Sequence, residues 1–175
     1  MEYFIVEQDR RLIGGAISFP ERILKGFEYA EPNEVLYTKS EKELEYSCII
    51  DRPVLLVSDE LRRIITEFEP QMEHKAVVVM DLERQLQFPY SMMNFQDVAC
   101  DSNKQSYLAT GRIEEIVIDE KQINGQAIFK ITYYRSSYLV VRLDVAEYLL
   151  RRSLYGLKLN RIQSMEGDKY ECTTK

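Results

Sequence analysis

The residue types that most often carry catalysis are sparse in this chain of 175 residues, which has one histidine and three cysteines. His74 lies in the charged sequence QMEHK, and we interpret it as a surface residue rather than the base of a Ser-His-Asp or Cys-His site. Cys48, Cys100 and Cys172 are far apart and form no C-x-x-C pair, so the sequence predicts neither a zinc site nor a disulfide framework. We expect each cysteine to be a small buried side chain.

Two pairs of carboxylates are the remaining candidates for acid–base chemistry. Glu114 and Glu115 are adjacent in a predicted strand, so their side chains point to opposite faces and do not converge on one substrate. Asp97 and Asp101 flank the apolar triplet Val-Ala-Cys, where a turn or helix-capping role is the simpler interpretation of both. We therefore expect a protein that is not an enzyme and that binds no metal or cofactor.

Aromatic and basic side chains are concentrated at residues 133–138, in a chain with twelve tyrosines. Tyr and Arg are the residue types that dominate the energetics of protein–protein contacts. An alternative interpretation is that the tyrosines are half-buried packing residues of a strand. The candidate partner-binding residues are Tyr133, Tyr134, Arg135, Tyr138, Asp97 and Asp101.

The charge balance limits the classes of partner. The chain has 29 acidic and 23 basic residues, for a net charge of −6, which argues against nucleic acid and permits a basic protein partner. No apolar run approaches the ~18 residues that a membrane helix needs, and the N-terminal sequence predicts no signal peptide. Unpaired cysteines suit a reducing compartment, so we expect a cytoplasmic protein; its oligomeric state stays open.

Two stretches of the chain share one order of elements. Residues 53–80 and residues 138–162 each contain a short apolar run, a polar stop, an amphipathic helix pattern, a turn and a second extended run. In the first stretch Ser58 is a good N-cap, and Pro70 ends the helix. Its apolar residues have the spacing of one buried face: Leu61, Ile64, Ile65 and Phe68.

The second stretch differs from the first at the start of its helix. Arg142 occupies the position of a cap, so helix initiation depends on the negative charge of Asp144 in the first turn. Gly156 follows the helix where a left-handed residue is expected. The two stretches predict two similar strand–helix–strand units.

The other regular patterns in the sequence predict β-strands. Residues 1–7 and 35–38 predict strands, and residues 76–80 form an apolar run that predicts a strand buried on both faces. Asn124-Gly125 predicts a hairpin turn between strands at 113–118 and 127–133. On the second of these strands, Lys130 and Thr132 share a face.

These elements predict one domain over residues 1–175 of the α+β class. We expect a mixed, mostly antiparallel sheet with two main helices, contributed by the two strand–helix–strand units.

Four segments of the chain, in this order, resemble a family of bacterial immunity proteins that guard against polymorphic toxins, immunity protein family eleven. They are PVLLVSDELRRIITEFEP, YSMMNFQDVACDSNKQS, QAIFKIT and YLVVRLDVAEYLLRRSLYGLKLNRI. Together they span residues 52–162, and the segment at 8–50 lies outside the resemblance. Arg142 departs from the serine-like cap that the family's closing unit has.

The resemblance implies a protein that binds a cognate toxin in the cytoplasm and blocks it without catalysis. The toxin would be a basic effector domain, given the acidic chain. The alternative is a small cytoplasmic ligand-binding or regulatory module, with a pocket formed by the irregular segment at residues 85–110.

Overall fold

The computed structural model describes residues 1–9, 11, 16–39, 46–100, 106–107, 113–133 and 136–165. Within these ranges the chain forms three α-helices, α1 (Glu21–Leu24), α2 (Asp59–Phe68) and α3 (Leu143–Arg151). The strands of the first half are β1 (Tyr3–Gln8), β2 (Ala16–Ser18), β3 (Asn33–Lys39), β4 (Ile49–Ile50), β5 (Leu56–Ser58), β6 (His74–Asp81) and β7 (Leu86–Met93). Those of the second half are β8 (Ser106–Tyr107), β9 (Ile113–Glu115), β10 (Val117–Asp119), β11 (Ile128–Tyr133), β12 (Ser136–Arg142) and β13 (Leu157–Met165).

The strands form two large sheets. Sheet A has five strands in the order β10-β13-β1-β12-β11, and sheet B has six in the order β2-β3-β6-β7-β5-β4. Strands β8 and β9 pair only with each other within the described part of the chain. The α+β class is confirmed, with mostly antiparallel pairing and two main helices. The expected single sheet is instead two, because β1 pairs with the C-terminal strands β12 and β13 and leaves the following strands to sheet B.

The two sheets repeat one arrangement. Strands β3-β6-β7-β5-β4 of sheet B correspond in order and direction to β10-β13-β1-β12-β11 of sheet A. In both, the first pair is parallel and the other three pairs are antiparallel. Helix α2 connects β5 to β6 across β7, and α3 connects β12 to β13 across β1. The two strand–helix–strand units predicted from the sequence are therefore related in topology, and the N-terminal strand completes the C-terminal unit.

The helices begin and end largely as expected. The side chain of Ser58 accepts a hydrogen bond from the amide of Leu61, which satisfies one free donor of the first turn of α2. No side chain caps α3, but the guanidinium of Arg142 donates to both carboxylate oxygens of Asp144 at 2.8 and 2.7 Å. Gly156 has φ of 74°, the left-handed conformation predicted for it.

A central core lies between the sheets and includes both main helices. In this core, side chains from the inner faces of the two sheets pack against one side of α2 and one side of α3. Its buried members are Val6, Cys48, Ile49, Val57, Leu61, Ile64, Ile65, Met93, Phe95, Ala127, Ile128, Leu139, Val141, Val145, Ala146 and Leu149. The helices also contact each other, because the ring of Phe68 packs edge-on against that of Tyr148, with centroids 5.6 Å apart.

Each sheet has a second apolar cluster on its outer face. On sheet A this cluster includes Ile5, Phe129 and Ile131, and it is closed by the segment around Cys100 and Ile123. On sheet B a corresponding cluster is closed by the segment at residues 17–30. Its buried members are Ile23, Ala30, Leu36, Ile50, Leu56, Val77, Val79, Tyr90 and Met92.

Two expectations for individual strands are wrong. In β6, Val77 and Val79 are buried whereas Ala76 is exposed and Val78 is only half-buried, so the strand is buried on one face. Asn124 and Gly125 do form a turn, with φ of 51° and 75°. The strands on either side of that turn do not pair with each other, because β10 joins β13 and β11 joins β12, at opposite edges of sheet A.

None of the described helices is long and apolar enough to cross a membrane.

Candidate binding cleft

A cleft of about 570 Å³ in the described structure is lined by residues of both sheets. Sheet B supplies the end of β7, the loop between β4 and β5 and the short helix α1 with the turn after it. Sheet A supplies three residues at the β11–β12 end. The described lining residues are Ile23, Leu24, Gly26, Phe27, Asp51, Arg52, Pro53, Val54, Leu55, Met92, Met93, Asn94, Phe95, Lys130, Ser136 and Ser137.

Four polar side chains form a cluster at the sheet A side of the cleft, and two of them, Lys130 and Ser137, line it. The carboxylate of Asp97 accepts a 2.5 Å hydrogen bond from the hydroxyl of Thr132, and the ammonium of Lys130 lies 3.5 Å from the same carboxylate. The hydroxyls of Thr132 and Ser137 are 3.2 Å apart across the β11–β12 pair. We call these four residues the hairpin cluster.

The backbone positions the hairpin cluster. Strand β11 is the last strand of sheet A, and the segment after β7 runs beside its free edge. The amide of Lys130 donates to the carbonyl of Gln96, and the amide of Val98 donates to the carbonyl of Lys130, both at 2.8 Å. These bonds place Asp97 between Lys130 and Thr132, which share a face of the strand because they are two residues apart.

The wall opposite the hairpin cluster is mostly apolar but carries one exposed cation. Val54 and Leu55 are half-buried, whereas Arg52 is exposed and has no ion pair among the described residues. Asp51, next to it, accepts a hydrogen bond from the amide of Gln8 at 3.3 Å. The cleft therefore combines an apolar surface with two cations, Arg52 and Lys130, and one lining carboxylate, Asp51. Such a surface fits an apolar group that carries a negative charge beside it.

Only part of the predicted contact surface falls in this region. Asp97 belongs to the hairpin cluster. Tyr138 is half-buried and packs against the outer apolar cluster of sheet A, so the packing interpretation holds for its ring. Tyr133 ends strand β11. Tyr134, Arg135 and Asp101 lie outside the described residues.

Four functional candidates were missed by the sequence analysis. Lys130 and Thr132 were assigned to one strand face, but nothing local indicated that Asp97 would lie against them. Ser137 lies just before the second predicted unit, which begins at residue 138, and the structure places it within β12. No feature of the sequence around Arg52 indicated that its side chain would be exposed in a cleft, because that exposure depends on the loop between the short strands β4 and β5.

Among the residues first considered for catalysis, His74, Cys48 and Cys100 lie in separate surroundings. His74 is exposed at the start of β6, and Cys48 and Cys100 are buried, as expected. Burial raises the pKa of the Cys48 thiol to about 12, which leaves it protonated and unreactive at neutral pH. Among the described residues, no group of three or more His, Cys, Asp or Glu side chains has the arrangement of a metal site.

No family model matches this chain, and no curated protein matches it.

Proposed function

We propose that this protein is a non-catalytic cytoplasmic immunity protein that binds a cognate bacterial toxin and blocks it. The observation that carries the proposal is the two-sided cleft, because its apolar wall and its two cations can receive a protruding element of another protein. The resemblance of residues 52–162 to the immunity family supplies the class of that partner.

The hairpin cluster supports a binding role more than a catalytic one. Its members are a carboxylate, an ammonium and two hydroxyls that already bond to one another, so the polar groups of the cluster hold each other in place. Partly exposed charges at the rim of an interface steer a partner and define its orientation. The apolar wall beside them supplies the desolvated contact that most of the binding energy requires.

The charge of the chain supports a basic partner. With a net charge of −6, the protein attracts a positively charged domain over a distance of about one Debye length, ~8 Å at physiological salt. The cleft itself carries Arg52 and Lys130. We therefore propose a basic toxin that inserts one acidic and apolar element into the cleft.

The test uses the tagged protein in the cell from which it comes. Its stoichiometric partner is recovered and identified, and the partner's C-terminal domain is expressed with and without this protein. The proposal predicts a partner that arrests growth alone and that is harmless when both are expressed. A partner that is harmless by itself, or that kills equally well in the presence of this protein, contradicts it.

The cleft also favours a second candidate function, a small ligand-binding module. Its volume of about 570 Å³ falls within the ~300–1,000 Å³ typical of small-molecule pockets. A metabolite that binds only the native state raises the melting temperature, and the rise grows with the logarithm of its concentration relative to its dissociation constant. A thermal-shift screen that finds such a metabolite, with the shift abolished by Lys130→Ala, would favour this function over toxin binding.

A further inference from the structure

One side of the cleft is formed by a short helical segment instead of by strands. This segment, residues 21–30, consists of α1 and the 3-10 turn that follows it, and we call it the α1 segment. Its residues in the cleft lining are Ile23, Leu24, Gly26 and Phe27. A helix of four residues is not stable by itself, so the position of this side of the cleft depends on the contacts that join the segment to sheet B.

Lys75 holds the α1 segment from the side of the sheet. Its ammonium donates hydrogen bonds to the carbonyl oxygens of Phe27 and Ala30, both at 2.6 Å, and lies 4.6 Å from the centroid of the Phe27 ring. Hydrogen bonds from a charged donor are roughly twice as strong as neutral ones. Lys75 is not one of the described lining residues of the cleft, so it contacts the segment without facing the space that a partner would fill.

The other anchors of the α1 segment lie towards its two ends. Near its start, Arg22 pairs with the buried carboxylate of Glu34, and Ile23 is fully buried in the outer cluster of sheet B. Just after its end, the amide of Glu31 donates to the same carboxylate at 2.8 Å. Among the described side chains, Lys75 supplies the hydrogen bonds that join the turn between these anchors to the sheet.

The repeated arrangement shows that these contacts belong to the cleft and are not a general feature of the fold. Strand β13 occupies in sheet A the place that β6 occupies in sheet B. Lys158 is the second residue of β13, as Lys75 is the second residue of β6, and both side chains are on the outer faces of their sheets. Lys158 is exposed, whereas Lys75 is half-buried beneath the segment that lines the cleft.

We propose that Lys75 is a positioning residue of the cleft, which sets the affinity for the partner by holding the α1 segment in place. This inference rests on the proposed function, because the partner is the toxin that the cleft binds. When a binding surface is in position for only a fraction of the time, the apparent dissociation constant rises by the reciprocal of that fraction. A segment held in place for about one tenth of the time therefore binds about tenfold more weakly.

Hydrogen–deuterium exchange of the full chain measures the position of the α1 segment without a partner. In Lys75→Met, which keeps the apolar stem and removes the ammonium, the amides of residues 23–30 are expected to exchange at least about tenfold faster, while those of α2 keep their protection. Lys75→Arg keeps a charged donor and is expected to restore slow exchange. Lys158→Met makes the same change at the equivalent position of sheet A and is expected to exchange as the wild type does.

Isothermal titration calorimetry with the recovered toxin measures the consequence for binding. Lys75→Met is expected to weaken binding about tenfold, and Lys75→Arg and Lys158→Met are expected to bind as the wild type does. Because Lys75 does not contact the partner, its loss is expected to have the same effect at about 50 and 500 mM NaCl. The effect of Lys130→Glu, a charge in the cleft lining, is expected to shrink at the higher salt. If Lys75→Met loses the protection of α2 as well, Lys75→Gln replaces it in both measurements.

Two results would overturn the proposal. Wild-type exchange of residues 23–30 in Lys75→Met would show that the ammonium does not hold the segment. Faster exchange with unchanged affinity for the toxin would show that the partner does not depend on the position of the segment. Either result leaves the proposed function intact if Lys130→Glu still weakens binding, whereas failure of the proposed function is recognised by wild-type affinity in Lys130→Glu itself.

Discussion

The hydroxyl of Ser47 donates a 2.9 Å hydrogen bond to the carbonyl oxygen of Gly156, and this contact joins sheet B to the turn before β13. The amide of Cys48 donates to the carbonyl of Tyr155 at 2.8 Å beside it. Ser47 is held from the other side, because the hydroxyl of Tyr90 donates to its carbonyl at 2.6 Å. The turn of the second strand–helix–strand unit is thereby fixed against the edge of the first.

Gly156→Ala is expected to lower the free energy of unfolding by about 2–3 kcal/mol, because it combines backbone strain with a steric clash. A Cβ at this position would lie 2.4 Å from the Oγ of Ser47, and φ is already 74°. Urea unfolding followed by circular dichroism measures the change. Gly125→Ala is the matched control: its φ is 75°, but nothing lies within 4 Å of the added carbon, so it costs only about 1 kcal/mol. If the two variants lost the same free energy of unfolding, the side chain of Ser47 would be shown to move aside without destabilising the fold.

Glu34 links the acid sensitivity of sheet B to one ion pair. Its side chain is 0% exposed, and both its oxygens accept hydrogen bonds from Arg22 at 2.8 Å. These hydrogen bonds hold the pKa of Glu34 below its ordinary value of 4.5. Because the folded-state pKa is the lower one, the stabilisation is complete above about pH 4.5 and is lost as the pH falls through the folded value.

Glu34→Gln is therefore expected to be less stable than the wild type at pH 7 and to approach it as the pH falls below about 4. Urea midpoints at a series of pH values measure both trends. Glu83→Gln, at an exposed position in the β6–β7 turn, is expected to follow the wild-type curve. A constant gap between Glu34→Gln and the wild type at every pH would argue against a charged Glu34 in the folded protein.

The contact between the two main helices depends on Tyr148. Its ring packs against Phe68, and its hydroxyl donates to the carboxylate of Glu67 at 2.7 Å. Tyr148→Phe keeps the ring and is expected to cost about 0.5–1 kcal/mol, whereas Tyr148→Ala also removes the packing and is expected to cost about 3 kcal/mol. Thermal unfolding of both variants measures the difference. Similar losses for Phe and Ala would mean that the hydroxyl, rather than the ring, holds the helices together.

Cys48 is expected to resist alkylation in the native protein. Its thiol is buried and has a pKa of about 12, so only a trace of thiolate is present at neutral or mildly alkaline pH. Iodoacetamide labelling at about pH 8, followed by peptide mass mapping, should leave Cys48 unmodified without denaturant and modify it fully in urea. Rapid labelling of the native protein would require an opening of the central core that the structure does not contain.

The sequence predicted the individual helices, caps and turns better than it predicted which strands pair with each other. The cap at Ser58, the left-handed Gly156 and the helical spacing of α2 each depend on neighbours within a few residues, so the sequence contains them directly. Pairing depends on register across long stretches of chain. The Asn124-Gly125 turn forms, yet 3-10 helical residues after β10 separate it from that strand, and both flanking strands pair with more distant segments.

The cleft was harder to predict than the fold for the same reason. The sequence placed Lys130 and Thr132 on one strand face, but Asp97 reaches them only because residues 96–98 bond to the edge of β11. The tyrosines that suggested a contact surface are common on strands, and Tyr138 shows their usual role in packing. Composition alone could not separate a packing tyrosine from a binding one.

The most direct test of the proposed function measures the affinity of the recovered toxin for two charge-reversed variants by isothermal titration calorimetry. Lys130→Glu alters the cleft, and Lys158→Glu makes the same change at an exposed position on β13. We predict that Lys130→Glu weakens binding at least tenfold and abolishes protection of toxin-producing cells, while Lys158→Glu leaves both unchanged. Wild-type affinity and full protection with Lys130→Glu would contradict the assignment of the cleft as the toxin-binding site.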